Sequence, residues 1–171
     1  MGNGIHLNLD PRVKLLGGIG SILIILSWLP YIGAILGLAG VILVSIAFKA
    51  LSDLDPSKGI FKNWLMAIII ILLGSILGFA LITTGVASNS DFFIVVGVAA
   101  LIASSAVYGW LVSKVFSAIY ELTGENSFKW AATMFFWGAI LSVILIGGIL
   151  YFVGWILSAI GFFSLKVDTQ A

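Results

Sequence analysis

Residues 15–48 read LLGGIGSILIILSWLPYIGAILGLAGVILVSIAF, without one charged side chain. As one helix these 34 residues would be about 51 Å long at 1.5 Å per residue. A bilayer's hydrocarbon core is only ~30 Å thick, crossed by about 20 apolar residues. The stretch therefore has to turn back. Trp28-Leu29-Pro30-Tyr31 supplies the turn, a helix-interrupting proline between two amphipathic aromatics of the kind that favour the membrane interface.

Three more charge-free stretches follow, at 63–90, 92–113 and 130–165. The first two of these are single spans. The last, at 36 residues, is again too long for an upright crossing, with Gly147-Gly148 as its weakest helical point and Tyr151 and Trp155 nearby. One long tilted helix over 130–165 is the other reading. Charge decides between them. Lys and Arg collect in cytoplasmic loops, and Arg12, Lys14, Lys49, Lys58, Lys62, Lys114, Lys129 and Lys166 all sit at the edges of apolar runs. With six helices, the termini and loops 49–62 and 114–129 share one face that holds all eight cations, against Asp91 alone opposite. With four helices the cations divide between the two sides. The expected fold is all-α: one polytopic membrane domain over 1–171, with six transmembrane helices at about 11–28, 31–50, 61–87, 91–122, 128–146 and 149–165 in three hairpins. Both termini are expected in the cytoplasm and the chain in the cell membrane.

Composition agrees. The chain is 61% hydrophobic and 9% charged, where soluble domains carry about 25% charged residues. A net charge of +1 offers nucleic acid no footing, and no cation cluster is dense enough for strong attraction to anionic lipid. The absence of Cys excludes disulfides, thiolate nucleophiles and Cys-ligated metals. The first apolar run follows Arg12 and Lys14 like a signal peptide, yet lacks an Ala-x-Ala site and runs straight into more apolar sequence, so it reads as retained.

Helix-end chemistry fits the same plan. Asp10-Pro11 is an N-cap followed by proline at the first helical position. Asp55-Pro56-Ser57-Lys58-Gly59 is a turn, Ser90 or Asp91 caps the fourth helix, Gly124 ends it, and Asn126 or Ser127 caps the fifth. Gly-Ser/Ala-Ile-Leu recurs at 20–23, 33–36, 74–77 and 138–141, which fits either an ancestral repeat of hairpins or the narrow composition.

No Asp, Glu, Lys, Arg or His falls inside the six expected cores. Such residues mark proton relays and ion pathways, so coupled transport is not expected. A passive path lined by Thr83, Thr84, Ser104 and Ser105 is the alternative, against hydroxyls that simply bond their own helix. Gly33 and Gly37, and Gly74 and Gly78, have the four-residue spacing that lets helix backbones approach. Ser105, Gly109, Ser113 and Ser117 continue that period on the fourth helix. These are read as helix-packing positions, within the chain or toward another. Asp53-Leu54-Asp55 has the spacing of an acidic metal motif, but no further ligand stands near it; His6 is the lone His, and Glu121 and Glu125 are loop acids. No phosphate loop, His-Glu-x-x-His or Ser/His/Asp set is present, so no enzyme, cofactor or metal is expected. Trp137 stands beside Phe135 and Phe136, too deep for an interfacial belt; an indole acceptor on a neighbouring helix is one reading and a lipid or apolar ligand the other.

With the helices placed, several segments resemble a known family: Lys14–Leu23, Pro30–Gly33, Ile46–Asp53, Ile60–Asn63 and the closing Gly154–Leu165. They are similar to a small multi-pass membrane family, mainly archaeal with some bacterial members, filed as domain of unknown function nine-nine-six. The resemblance spans nearly the whole chain and implies a polytopic membrane protein with no established activity. The expected role is that of a structural or accessory membrane protein acting by helix–helix association, with lipids, further copies or a larger membrane complex as partners and no nucleic acid. A passive channel or carrier for a small neutral or apolar solute is the alternative.

Overall fold

The computed structural model describes residues 10–144 and 146–166; His6 lies outside them. Six helices carry the chain, and no strand occurs among the described residues: α1 Pro11–Leu26, α2 Gly33–Leu54, α3 Ile60–Ser88, α4 Asp91–Thr123, α5 Asn126–Leu141 and α6 Gly147–Ser164. Short 3-10 turns at Pro56–Lys58 and Ser142–Ile144 lead into α3 and α6. Five helical segments, all but α1, are long and apolar enough to cross a membrane. The 16 residues of α1 span about 24 Å, less than a hydrocarbon core.

Local chemistry sets the ends. Asp10 accepts from the Arg12 N–H at 2.8 Å with Pro11 in the first turn, and Asp55 caps the turn that Gly59 closes in the left-handed region. Gly124 ends α4 with φ +71°, its N–H donating to the Tyr120 carbonyl at 2.7 Å. Two expectations need correcting. Glu125, not Asn126 or Ser127, caps α5, its carboxylate accepting from the Ser127 N–H at 3.3 Å and from the Ser127 hydroxyl at 3.1 Å. The α5–α6 break falls before Gly147, with α5 ending at Leu141 and a 3-10 turn at Ser142–Ile144, rather than at Gly147-Gly148. Gly147 opens α6 and presses onto the Gly138 carbonyl, with the Ser142 Cα 2.8 Å from where its Cβ would stand. The bare glycine surface lets the turn close just before it.

Packing neighbours run antiparallel, since partner numbers fall along one helix as they rise along the next. Gly17 and Ser21 of α1 meet Phe162 and Ser158 of α6, Gly74 and Gly78 of α3 meet Ser104 and Gly97 of α4, and Phe135 and Phe128 of α5 meet Gly154 and Gly161 of α6. The order around the bundle follows the chain, α1 on α2, α3 on α4, α4 on α5, α5 on α6 and α6 back on α1, with a slighter contact between α2 and α3. The core lies toward the end that carries the cations. Phe48, Trp64, Phe116, Phe128, Phe135, Trp155 and Phe162 meet there, with Phe116 stacked on Phe135 at 5.4 Å and edge-on to Trp155 at 5.9 Å. Toward the other end α3 and α4 leave Leu73, Ile76, Phe79, Val86, Phe92 and Val95 facing outward.

Candidate functional site

The most chemically organised region is this aromatic core and the polar bonds that stitch helices around it. The Trp64 indole N–H donates to the Ser45 hydroxyl at 2.7 Å, which donates to the Val41 carbonyl at 2.6 Å, tying α3 to α2. The Ser21 and Ser158 hydroxyls lie 2.9 Å apart in full burial. Ser21 also donates to the Gly17 carbonyl at 2.8 Å, so Ser158 is the donor between the two hydroxyls. The Tyr151 hydroxyl donates to the Ser105 carbonyl at 2.7 Å, joining α6 to α4 over the bare surface of Gly109. Lys14 donates to the Leu165 carbonyl at 3.3 Å and holds the first turn of α1 to the end of α6. Among the described residues every buried polar side chain is a Ser or Thr.

The helix-packing positions divide. Gly74 presses on Ser104, and an added Cβ at Gly78 would stand 2.5 Å from Leu101 Cγ and 3.0 Å from the Gly97 carbonyl oxygen. Gly33 and Gly37 pack on Ser27, inside the α1–α2 turn. Gly109 lies against Tyr151. Ser113 and Ser117 instead line a groove between α4 and α5. Spacing along one helix missed the closest backbone crossing of α1 and α2, Gly20 with Gly40, where a Cβ on Gly40 would stand 2.7 Å from the Gly20 carbonyl oxygen. Its signal is reciprocal, one glycine on each partner, and needs the pairing of helices to be known.

The four pore-lining positions are not brought together. Thr83 and Thr84 are exposed, and both donate to the Ala80 carbonyl, at 2.9 and 2.8 Å. Ser104 is buried against Gly74 and donates to the Leu101 carbonyl at 3.0 Å. Ser105 offers its carbonyl to Tyr151. Trp137 is half-exposed on the outer surface, edge-on to Phe136.

The loop acids are engaged. Asp53 pairs with Lys49 one turn back. Asp55 accepts from the Ser57 hydroxyl at 2.5 Å, the main cause holding its carboxyl below the ordinary 3.8. Glu121 pairs with Lys58 at 2.6 Å, clipping the α2–α3 turn to the end of α4, and that bond raises the Lys58 ammonium above its ordinary 10.5. No group of three His, Cys, Asp or Glu able to hold a metal ion occurs among the described residues.

An all-helical bundle with five helices long and apolar enough to cross a membrane, and a core of aromatics and hydroxyls, defines the class. The chain belongs to the family described as protein of unknown function, DUF996, whose match covers residues 36–156. Over 172 residues it is 28% identical to the uncharacterized protein MJ1644 of Methanocaldococcus jannaschii, covering 94% of this chain and 95% of that one. No solved structure matches.

Proposed function

We propose that this chain is a structural or accessory integral membrane protein, acting through helix–helix association rather than through chemistry or conduction. Its six helices cross the bilayer as three hairpins, with both termini and the loops around Pro56 and Gly124 in the cytoplasm. The filled centre of the bundle carries this reading. Phe48, Phe116, Phe128, Phe135 and Phe162 are fully buried where the helices converge, leaving a passive solute no lumen at that level. The hydroxyls of Thr83 and Thr84, bonded back to their own helix, supply no polar lining. The position of the cations at one end supports the orientation. Short as it is, α1 packs along both α2 and α6, and its turn at Ser27–Ile32 extends its reach. No catalytic step is assigned, because Asp53, Asp55, Glu121 and Glu125 are each held by a structural partner.

Association leaves room for partners on the outward apolar faces of α3 and α4. Purification from native membranes in mild detergent, followed by light scattering, is expected to give a defined complex of constant stoichiometry. Proteoliposomes are expected to pass small neutral solutes no faster than protein-free vesicles. Monodisperse single chains together with reproducible solute flux would overturn the proposal and favour the passive carrier.

A further inference from the structure

The face of α4 that meets α5 carries a polar groove which the packing role does not use. Ser113, Ser117 and Tyr120 line it from α4, and Lys129, Thr133 and Phe136 from α5, around a volume of about 310 Å³ open to the outside of the bundle. The Lys129 ammonium stands 5.9 Å from the centre of the Tyr120 ring. Glu121 is taken by Lys58 and Glu125 by the α5 cap; among the described residues Lys129 forms no salt bridge. Ser113 is only 9% exposed. Among the described residues its hydroxyl, like that of Ser117, makes no hydrogen bond, whereas Thr83, Thr84, Ser88 and Thr133 all bond carbonyls of their own helices. Among the described residues no buried side-chain oxygen or nitrogen lacks a partner, so the Ser113 hydroxyl is not a buried orphan but opens on the groove. It is there to be bonded by whatever occupies the groove.

Depth says what the occupant is. Tyr120 and Lys129 each lie three residues from the helix ends at Thr123 and Asn126, about 4.5 Å inward at 1.5 Å per residue. Ser113 and Phe136 lie ten residues in, about 15 Å. A cation and hydroxyls at the mouth, with Ala132 and Phe136 along the wall, follow the change from headgroup to hydrocarbon across a leaflet. Basic pockets between membrane helices recognise anionic lipid headgroups. We propose that this groove seats one anionic phospholipid. Its phosphate lies against Lys129 and the hydroxyls of Ser117 and Tyr120, a glycerol-region oxygen meets Ser113, and the first methylenes run along Phe136. Lys114 stays outside the site, with its ammonium 3.5 Å over Trp110. The proposal rests on the membrane insertion proposed above, but not on helix association.

The test uses the purified full chain in neutral detergent, titrated with phosphatidylglycerol, with phosphatidylcholine of the same chains, and with inorganic phosphate as the headgroup chemistry alone. Binding is read by native mass spectrometry and thermal shift. Saturable binding of phosphatidylglycerol is expected, with phosphatidylcholine weaker and inorganic phosphate without effect. Lys129→Gln is expected to weaken it about fivefold, the worth of one cation near an anionic lipid surface. Lys129→Arg should retain it, and Lys62→Gln, on an exposed cation of α3, should leave it unchanged. If Lys129→Gln fails to fold by circular dichroism, Ser117→Leu fills the groove with the cation in place and is expected to abolish binding. Equal binding of the two lipids, equal loss in Lys62→Gln, or saturation by phosphate alone would overturn the proposal. Resistance of the wild-type chain to alkaline extraction from membranes, measured separately, reports whether insertion itself fails.

Discussion

Replacing Gly40 with Ala probes how closely α1 and α2 approach. The new Cβ would stand 2.7 Å from the Gly20 carbonyl oxygen and 2.8 Å from the Ile24 nitrogen. Ordinary contacts begin near 3.5 Å, and both obstacles are backbone, so no rotamer change relieves them. One helix has to retreat by about half an ångström or more along a packed seam, an overpacking that costs about 1–3 kcal/mol. Ala is the better helix former by about 0.5–1 kcal/mol, leaving a net loss of about 1 kcal/mol at mid-range and about 2.5 kcal/mol at most. For a chain of this length that lowers Tm by about 2–4 °C at mid-range and by about 10 °C at most. Gly148→Ala is the matched control, since its Cβ would meet only Trp28, at 3.7 Å; the same helix-forming gain there should leave stability unchanged or raised. Thermal unfolding in one detergent, followed by circular dichroism, measures both. A Gly40→Ala protein as stable as Gly148→Ala would refute close backbone packing of α1 on α2.

Phe116→Ala should cost about 3–5 kcal/mol, the usual range for deleting a buried Phe, because Phe116 packs on Phe48, Phe128, Phe135 and Trp155 at once. Phe79→Ala on the exposed face of α3 should stay within about 0.5 kcal/mol, so similar losses in reversible unfolding from mixed micelles would contradict the placement of the core. The loop clip predicts a two-sided pH response. The lowered carboxyl of Asp55 stabilises the turn above its unfolded value of 3.8, and that contribution is lost as pH falls through the lower folded value. The raised ammonium of Lys58 contributes below 10.5 and is lost as pH rises through the higher folded value. Proteolytic nicking of the 55–59 turn should therefore be flat near neutrality and rise at alkaline pH, and Lys58→Met should abolish the alkaline rise.

Where the bilayer or a backbone rule acts on single residues, the sequence was legible. Pro30 between Trp28 and Tyr31, Asp10 before Pro11, and Gly124 in the left-handed region each impose one local outcome. Pairing was harder to read. The helices are apolar all round, so nothing in the one-dimensional pattern separates a face that meets a helix from one that meets lipid. Gly20 against Gly40, and Gly78 against Gly97, emerge only when both partners are placed. The break before α6 was hidden because it depends on Gly147 docking on Gly138 rather than on local flexibility of a glycine pair. Phe48 and Trp64, within about two turns of helix ends, resemble interfacial aromatics, yet they turn inward, Phe48 onto Phe116 and Trp64 onto Phe48 and Trp155. The spacing of Ser113 and Ser117 was visible; that their side of α4 opens on Lys129 was not.

Six helices are proposed to cross the membrane with every cation of the bundle on the cytoplasmic side. Because the chain has no Cys, single cysteines can be placed at Leu29, Ser90 and Val143 on one side and at Ser57 and Asn126 on the other. An impermeant thiol reagent applied to intact cells is the measurement. Labelling is expected at 29, 90 and 143, with 57 and 126 reached only after the membrane is opened. Labelling of 57 and 126 in intact cells would contradict the orientation, and protection of 29 alongside labelling of 90 would contradict the first crossing.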